Sequence, residues 1–240
     1  MIGNNLQAVR ERILRACAAA GRAPETVRLL AVSKTFGPEA VREAAAAGQQ
    51  AFGENYLQEA VDKITALERQ PGALLPRPEW HCIGPVQSNK TKLVAAHFDW
   101  LHTVDRLKIA QRVSEQRPAG LPPLQICLQV NIDGGASKSG VAPDEALALA
   151  RAVAELPHLC LRGLMTLPEP SPDVEAQLQV HRRARDLFEA IRAAGLPASA
   201  RFDTLSMGMS NDLEAAIQAG STLVRVGTAI FGGRSYAPSP

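Results

Sequence analysis

Val27-Arg28-Leu29-Leu30-Ala31-Val32-Ser33-Lys34-Thr35 is the stretch on which the fold turns. Its compact, partly β-branched apolar run predicts a strand buried on both faces, as in parallel sheets. Pro38 then opens an Ala-rich helix that stops at Gly48, with proline early and glycine late. A strand followed by a helix is one βα unit, and the unit repeats along the chain. Further strands are predicted at 50–55, 79–84, 100–104, 124–131, 161–166, 204–208 and 223–227. Helices are predicted between them at 56–68, 90–96, 106–116, 144–155, 175–194 and 212–219. Upstream, Leu6, Val9, Ile13, Leu14 and Cys17 recur at helical spacing and predict an extra N-terminal helix. Eight such units predict an α/β chain folded as a single (β/α)8 TIM barrel. An open doubly wound sheet is the alternative, because a linear pattern does not prove closure. The Pro-rich pieces at 70–78, 116–123 and 168–172 are too short to divide domains, so one domain is expected over 1–240, with a core at 6–234 and a tail at 235–240.

Composition narrows the function classes. The 240 residues are 46% hydrophobic and 21% charged, which excludes wholesale disorder. A net charge of +2 gives no large field for nucleic acid or a membrane surface, and neither partner is expected. Aromatics at 4% leave little for base stacking. Charges at Arg10, Glu11, Arg12 and Arg15 interrupt the N-terminal apolar residues, so no signal-peptide core is read there and a cytoplasmic location is expected. Cys17, Cys82, Cys127 and Cys160 form no CxxC pair and read as thiols of a reducing compartment. No His, Cys, Asp or Glu spacing predicts a metal site.

In a barrel, chemistry collects at the C-terminal ends of the strands. Lys34 ends the first strand and shares a face with Leu30 and Val32, so it points inward if they do. An inward, partly desolvated lysine has the amine that Schiff-base chemistry needs. The competing reading is a strand-end lysine that snorkels to water. Ser206-Met207-Gly208-Met209-Ser210-Asn211 turns from strand to helix, with Ser210 or Asn211 as its cap, and Gly227-Thr228 follows the last strand. Together they read either as a phosphate cradle of backbone amides or as ordinary capping and a tight turn. Arg225 lies inside an apolar strand and needs a partner, whether an internal carboxylate or a ligand. Lys138 reads alone as a solvated loop charge, and His81 as a hydrogen-bonded core histidine. Arg182, Arg183 and Arg185 read as a solvated helix face.

Six ordered segments carry a resemblance. They are Leu30-Ala31-Val32-Ser33-Lys34-Thr35, Phe52-Gly53-Glu54-Asn55-Tyr56, the run from Trp80 to Lys90, Gly163-Leu164-Met165-Thr166, the run from Leu205 to Asp212, and that from Val224 to Gly232. Together they resemble the pyridoxal phosphate homeostasis protein family, whose barrel is similar to the N-terminal barrel of alanine racemase. The resemblance implies pyridoxal 5′-phosphate (PLP) as cofactor, held as a Schiff base on Lys34. It implies Ser210, Gly227 and Thr228 as the phosphate cradle, lined by Ser206, Met207 and Gly208. Arg225 matches the arginine that faces the pyridine nitrogen, and Lys138 falls where such barrels place a cation near the phenolic oxygen. Asn55, His81 and Met165 match site-lining positions. Gly135 departs from the family pattern, standing where an acidic residue is common.

What the resemblance implies about activity is binding, buffering and delivery of PLP, a vitamin B6 carrier with no catalytic residue. An arginine at the ring nitrogen keeps the ring a weak electron sink. A racemase also needs a second base, which related enzymes take from a C-terminal domain, and the chain ends at Pro240. The expected partners are PLP and PLP-requiring apo-enzymes, with the chain a monomer or weak dimer. The rival expectations are an amino-acid racemase using Lys34, and a Schiff-base aldolase acting on a phosphorylated carbonyl compound.

Overall fold

The computed structural model describes residues 1–69, 74, 76–135, 138–197 and 200–233. The expected tail, 235–240, lies outside the described residues, as do Ala136 and Ser137 of the loop before Lys138. The strands are β1 (Arg28–Val32), β2 (Ala51–Glu54), β3 (Glu79–Cys82), β4 (Trp100–Val104), β5 (Leu124–Val130), β6 (Leu159–Thr166), β7 (Thr204–Ser206) and β8 (Leu223–Val226). They pair in parallel in sequence order and form a closed barrel. Closure is made by β8 on β1, with Leu30 opposite Arg225 and Ala31 opposite Val226. That pairing removes the open sheet and leaves no free edge.

Helices α1 (Ile2–Ala19), α2 (Pro38–Ala46), α3 (Leu57–Arg69), α4 (Thr91–His97), α5 (Leu107–Gln116), α6 (Ala146–Ala154), α7 (Val174–Ala193), α8 (Leu213–Gln218) and α9 (Thr228–Phe231) surround the sheet. Among the described residues none is long and apolar enough to cross a membrane. The main core lies between helices and sheet, where Ala31, Phe52, Trp80, Leu101 and Leu205 meet Val41, Ile64, Val94 and Phe188. Inside the barrel two smaller apolar clusters stand apart, Leu30 with Ala51 and Leu223, and Trp100 with Cys127 and Met165. Leu30 therefore faces inward, as the alternation of β1 requires for Lys34.

Differences from the sequence reading sit at element ends. β6 begins at Leu159, earlier than 161, because Leu124 and Gln125 offer it partners there. Asp212 holds the N-cap position of α8 without a side-chain cap bond, correcting the expectation of Ser210 or Asn211. Gly208, at φ +93°, delays the helix by turning the chain in a conformation that L side chains avoid. The short α8 and α9 leave the β8–β1 side thinly covered, and α1 fills it. Asn5 donates to Ile230 O at 2.9 Å, and Arg12 pairs with Glu214.

Candidate functional site at the C-terminal mouth

Lys34 follows β1 by two residues and is half-buried at the barrel's C-terminal mouth. The turn that carries it is unusual. Thr35 has φ +68°, a left-handed conformation that a β-branched residue adopts only when its surroundings impose it. The imposing groups can be named. Thr35 N–H donates to Glu59 Oε1 at 2.6 Å, and Phe36 N–H donates to Ser33 O at 3.1 Å. Lys63 Nζ donates to Ser33 O at 2.9 Å, Glu54 Oε1 at 2.7 Å and Glu59 Oε1 at 3.2 Å. Ser33 Oγ donates to Glu54 Oε1 at 2.6 Å. Glu54 and Lys63 are buried, so these charges depend on one another. Burial pushes the Glu54 carboxyl above its ordinary range, against the pull of Lys63 and Ser33.

The sequence reading did not assign Lys63 to this shell. Its signal was present in α3, because 60, 63, 64 and 67 form one helical stripe and the other three members are apolar. A lysine within a buried stripe requires a carboxylate, and Glu59 precedes it by one helical turn.

Beside Lys34 stand the ends of β8, which pairs with β1, and of β7 next to it. Gly227 approaches β1 so closely that a Cβ there would lie 3.1 Å from Val32 O. A Cβ on Gly208 would lie 2.5 Å from the Ala216 Cβ. Gly227 lets the turn after β8 close on the end of β1, and Gly208 lets the turn after β7 pack against α8. Ser210 and Gly227 are half-buried and Thr228 is exposed, and Thr228 opens α9, where amides have no i−4 carbonyl to serve. The β7 turn is braced from behind. Met209 N–H donates to Asp212 Oδ1 at 2.6 Å, His181 Nε2 meets Asp212 Oδ2 at 2.9 Å, and Arg12 donates to Ser210 O at 2.7 Å. Burial works to raise the Asp212 carboxyl, but the hydrogen bonds from His181 and Met209 outweigh it and hold it low. Met207 packs outward in the helix-facing core, so it lines the turn with backbone alone.

Arg225 is 5% exposed inside the barrel. Among the described residues no carboxylate pairs with it, so the internal salt bridge is not its partner. Its Nη1 donates to Ser206 O and Ser206 Oγ, both at 2.8 Å, and its Nη2 to Thr166 O at 2.9 Å. Burial draws its pKa down to about 10, against the attraction of Asp212. Met165 is buried with Trp100 and Cys127 beneath this region. His81 lies deeper, fully buried, between Glu79 and His102. Lys138 lies over the end of β6, paired with Glu169 at 3.2 Å and donating to Leu167 O at 3.3 Å.

Buried polar atoms near this mouth that lack a hydrogen-bond partner include Glu54 Oε2, Asn55 Oδ1, Asn131 Oδ1 and Thr166 Oγ1, at the ends of β2, β5 and β6. Native interiors rarely leave such atoms unanswered. Their place at one mouth, with a lysine, a buried arginine and two glycine turns, marks that mouth as the candidate site for a small polar ligand.

Residues 4–235 match the family model described as alanine racemase, N-terminal domain. The chain is 57% identical over 235 residues, 98% of this chain and 96% of the relative, to the pyridoxal phosphate homeostasis protein of Pseudomonas aeruginosa. It is 53% identical over 237 residues, 98% of each chain, to the protein of the same name in Escherichia coli. The structure of PipY from Synechococcus elongatus with PLP bound superposes with a TM-score of 0.81 at 32% identity, covering 97% of this chain and all of that one.

Proposed function

The chain belongs to the pyridoxal phosphate homeostasis proteins, within the alanine racemase N-terminal domain family, and we propose that its C-terminal mouth binds PLP through Lys34 to buffer and deliver it. The carrying observation is the coincidence at one mouth of Lys34, an Arg225 that no carboxylate pairs among the described residues, and orphaned polar atoms. When bound, PLP supplies an electrophilic aldehyde and an electron-withdrawing ring.

The residues divide the work by chemistry. Lys34 offers the amine that takes the aldehyde, on a turn fixed by Glu59 and Lys63. The backbone around Ser210, Gly227 and Thr228 offers amides to the phosphate, with Gly208 shaping the turn. Ser206 supports Arg225 from below. A guanidinium only donates, so Arg225 holds a facing ring nitrogen in its unprotonated, acceptor state. That weakens the ring as an electron sink and favours carriage over catalysis. Asn55 and Lys138 border the ligand, Met165 lines its floor through the Trp100 cluster, and His81 acts from farther below. The same proposal sets the protein in the cytoplasm, where buried free thiols such as Cys17, Cys82 and Cys127 persist, with PLP-requiring apo-enzymes as recipients.

The test is the absorbance spectrum with added PLP, wild type beside Lys34→Ala, followed by borohydride reduction and peptide mapping. A visible band that borohydride removes, leaving pyridoxyl mass on the Lys34 peptide and absent from the variant, is expected. Attachment elsewhere would break the assignment. Loss of amino-acid α-hydrogens into deuterated buffer, followed by NMR, would turn the carrier into an enzyme.

A further inference from the structure

Below Arg225 a line of hydrogen bonds runs through the barrel to its opposite mouth. Arg225 Nη1 donates to Ser206 Oγ at 2.8 Å. Ser206 Oγ lies 3.1 Å from His102 Nδ1. His102 Nε2 lies 2.8 Å from His81 Nδ1, and His81 Nε2 lies 2.7 Å from Glu79 Oε1. Ser206, His102 and His81 are wholly buried, whereas Glu79 is part-exposed at the start of β3, where Arg28 holds it at 2.9 Å.

The two ends dictate every proton between them. A guanidinium can only donate, and an ionised carboxylate can only accept. Glu79 is kept ionised: burial would raise its pKa, but His81 and Arg28 together hold it at about 2. His81 must therefore carry its proton on Nε2 to serve Glu79, leaving Nδ1 to accept from His102 Nε2–H. His102 Nδ1 is left to accept from the Ser206 hydroxyl, whose oxygen accepts from Arg225. A second proton on His81 would set N–H against N–H, and one on His102 Nδ1 would take away the acceptor of the Ser206 hydroxyl. The charged groups acting on His81 are Glu79, Arg28 and Asp99, with His102 beside it, and those on His102 are Arg225 and Arg28, with His81 beside it. Burial is the largest influence on both rings and favours their neutral forms. Trp100 stacks on His81, with ring centroids 5.1 Å apart, and fixes its plane.

We propose that Glu79, His81, His102 and Ser206 form a hydrogen-bond relay of fixed polarity that positions the Arg225 guanidinium for the cofactor ring. The inference rests on the PLP reading of the upper mouth. The relay solves a specific problem. A carboxylate directly against Arg225 would orient it but cancel its field at the ring. Placing the anion at the far mouth, with neutral groups between, orients the guanidinium and leaves its charge directed upward. His81, His102 and Glu79 are thus positioning residues, and none of them needs to touch PLP.

The first experiment needs no cofactor. In the ¹⁵N-histidine-labelled protein without PLP, long-range ¹H–¹⁵N spectra report the tautomer of each ring. Both His81 and His102 are expected neutral and protonated on Nε2 at pH 7. A proton on Nδ1 of either ring, or a charged ring, would overturn the relay. The second experiment uses Glu79→Gln, which keeps size but removes the acceptor-only end, and His102→Phe, which cuts the line while keeping a ring. Glu79→Gln is expected to disturb the His102 tautomer two bonds away and to move the ¹⁵N resonance of the pyridine nitrogen in bound, labelled PLP. His102→Phe is expected to weaken PLP binding about tenfold. If Glu79→Gln moves His81 alone and leaves both His102 and the PLP nitrogen unchanged, the histidines are only core residues and the positioning role fails. A wild-type protein with the expected tautomers that takes up no PLP would instead overturn the cofactor reading, and the positioning role with it.

Discussion

The two mouths of the barrel are built from similar residues and treat them in opposite ways. At the N-terminal mouth the charges are answered locally. Arg28 meets Glu79 at 2.9 Å, Arg77 meets Asp99 at 2.9 Å, and Arg162 meets Asp203 through two bonds. Arg117 reaches the carbonyls of Ala95, Phe98 and Pro122. A cleft of ≈ 380 Å³ opens there, but its walls are these satisfied pairs. At the C-terminal mouth Asn55, Asn131 and Thr166 hold unanswered buried oxygens, and Thr35 sits at positive φ. One end spends its polar groups on stability, and the other reserves them for a ligand. We therefore place the chemistry at the C-terminal mouth.

This contrast can be broken by substitution, beginning with the largest effect. Lys34→Ala should abolish covalent PLP attachment while shifting urea-unfolding stability by less than about 1 kcal/mol. A large stability loss would show that Lys34 is structural as well. Arg117→Ala should do the reverse. It strips three carbonyls of their donor and should cost about 3 kcal/mol in urea unfolding, with the PLP spectrum unchanged in the folded fraction.

Acid should act through the line between the mouths. Burial lowers the pKa values of His81 and His102, His102 the more strongly. The unfolded chain takes these protons near pH 6.5, whereas the fold resists them. Stability from this source is thus complete above pH 6.5 and falls as pH drops below it, by about 1.4 kcal/mol per pH unit for each histidine. Urea midpoints measured from pH 7.5 to 5 should show this slope, reduced in His102→Phe. An unchanged slope would remove His102 from the account.

The smallest effect sharpens the comparison most. Thr35→Asn eases a left-handed conformation and should raise stability by up to about 1 kcal/mol, yet weaken PLP binding by loosening the Lys34 turn. Differential scanning calorimetry beside PLP titration would separate the two. A variant stabilised with unchanged PLP affinity would show that the strain has no function.

Much of this was legible in the chain. The strand ending Val32-Ser33-Lys34 and the alternation after it announced a βα repeat, and Lys34 was placed at a mouth by its distance from Leu30. The buried stripe of α3 held a readable clue to Lys63. Other features were not legible. Asp212 takes the N-cap position in place of Ser210 and Asn211, and its carboxylate is held by Met209 N–H and by His181, a contact spanning 31 residues. Met207 reads like its neighbours in sequence, but the alternation of β7 turns it to the helices with Leu205.

The sequence by itself determined the order of elements and the residues at the strand ends, because hydrophobic period and turn chemistry act over a few neighbours. Tertiary structure alone decided closure, which set Leu30 beside Arg225, and the meeting of His102 with Ser206, 104 residues apart. Those contacts depend on strand register around the whole barrel. A shift of one residue would turn each of these side chains to the opposite face of the sheet, so no local composition encodes them.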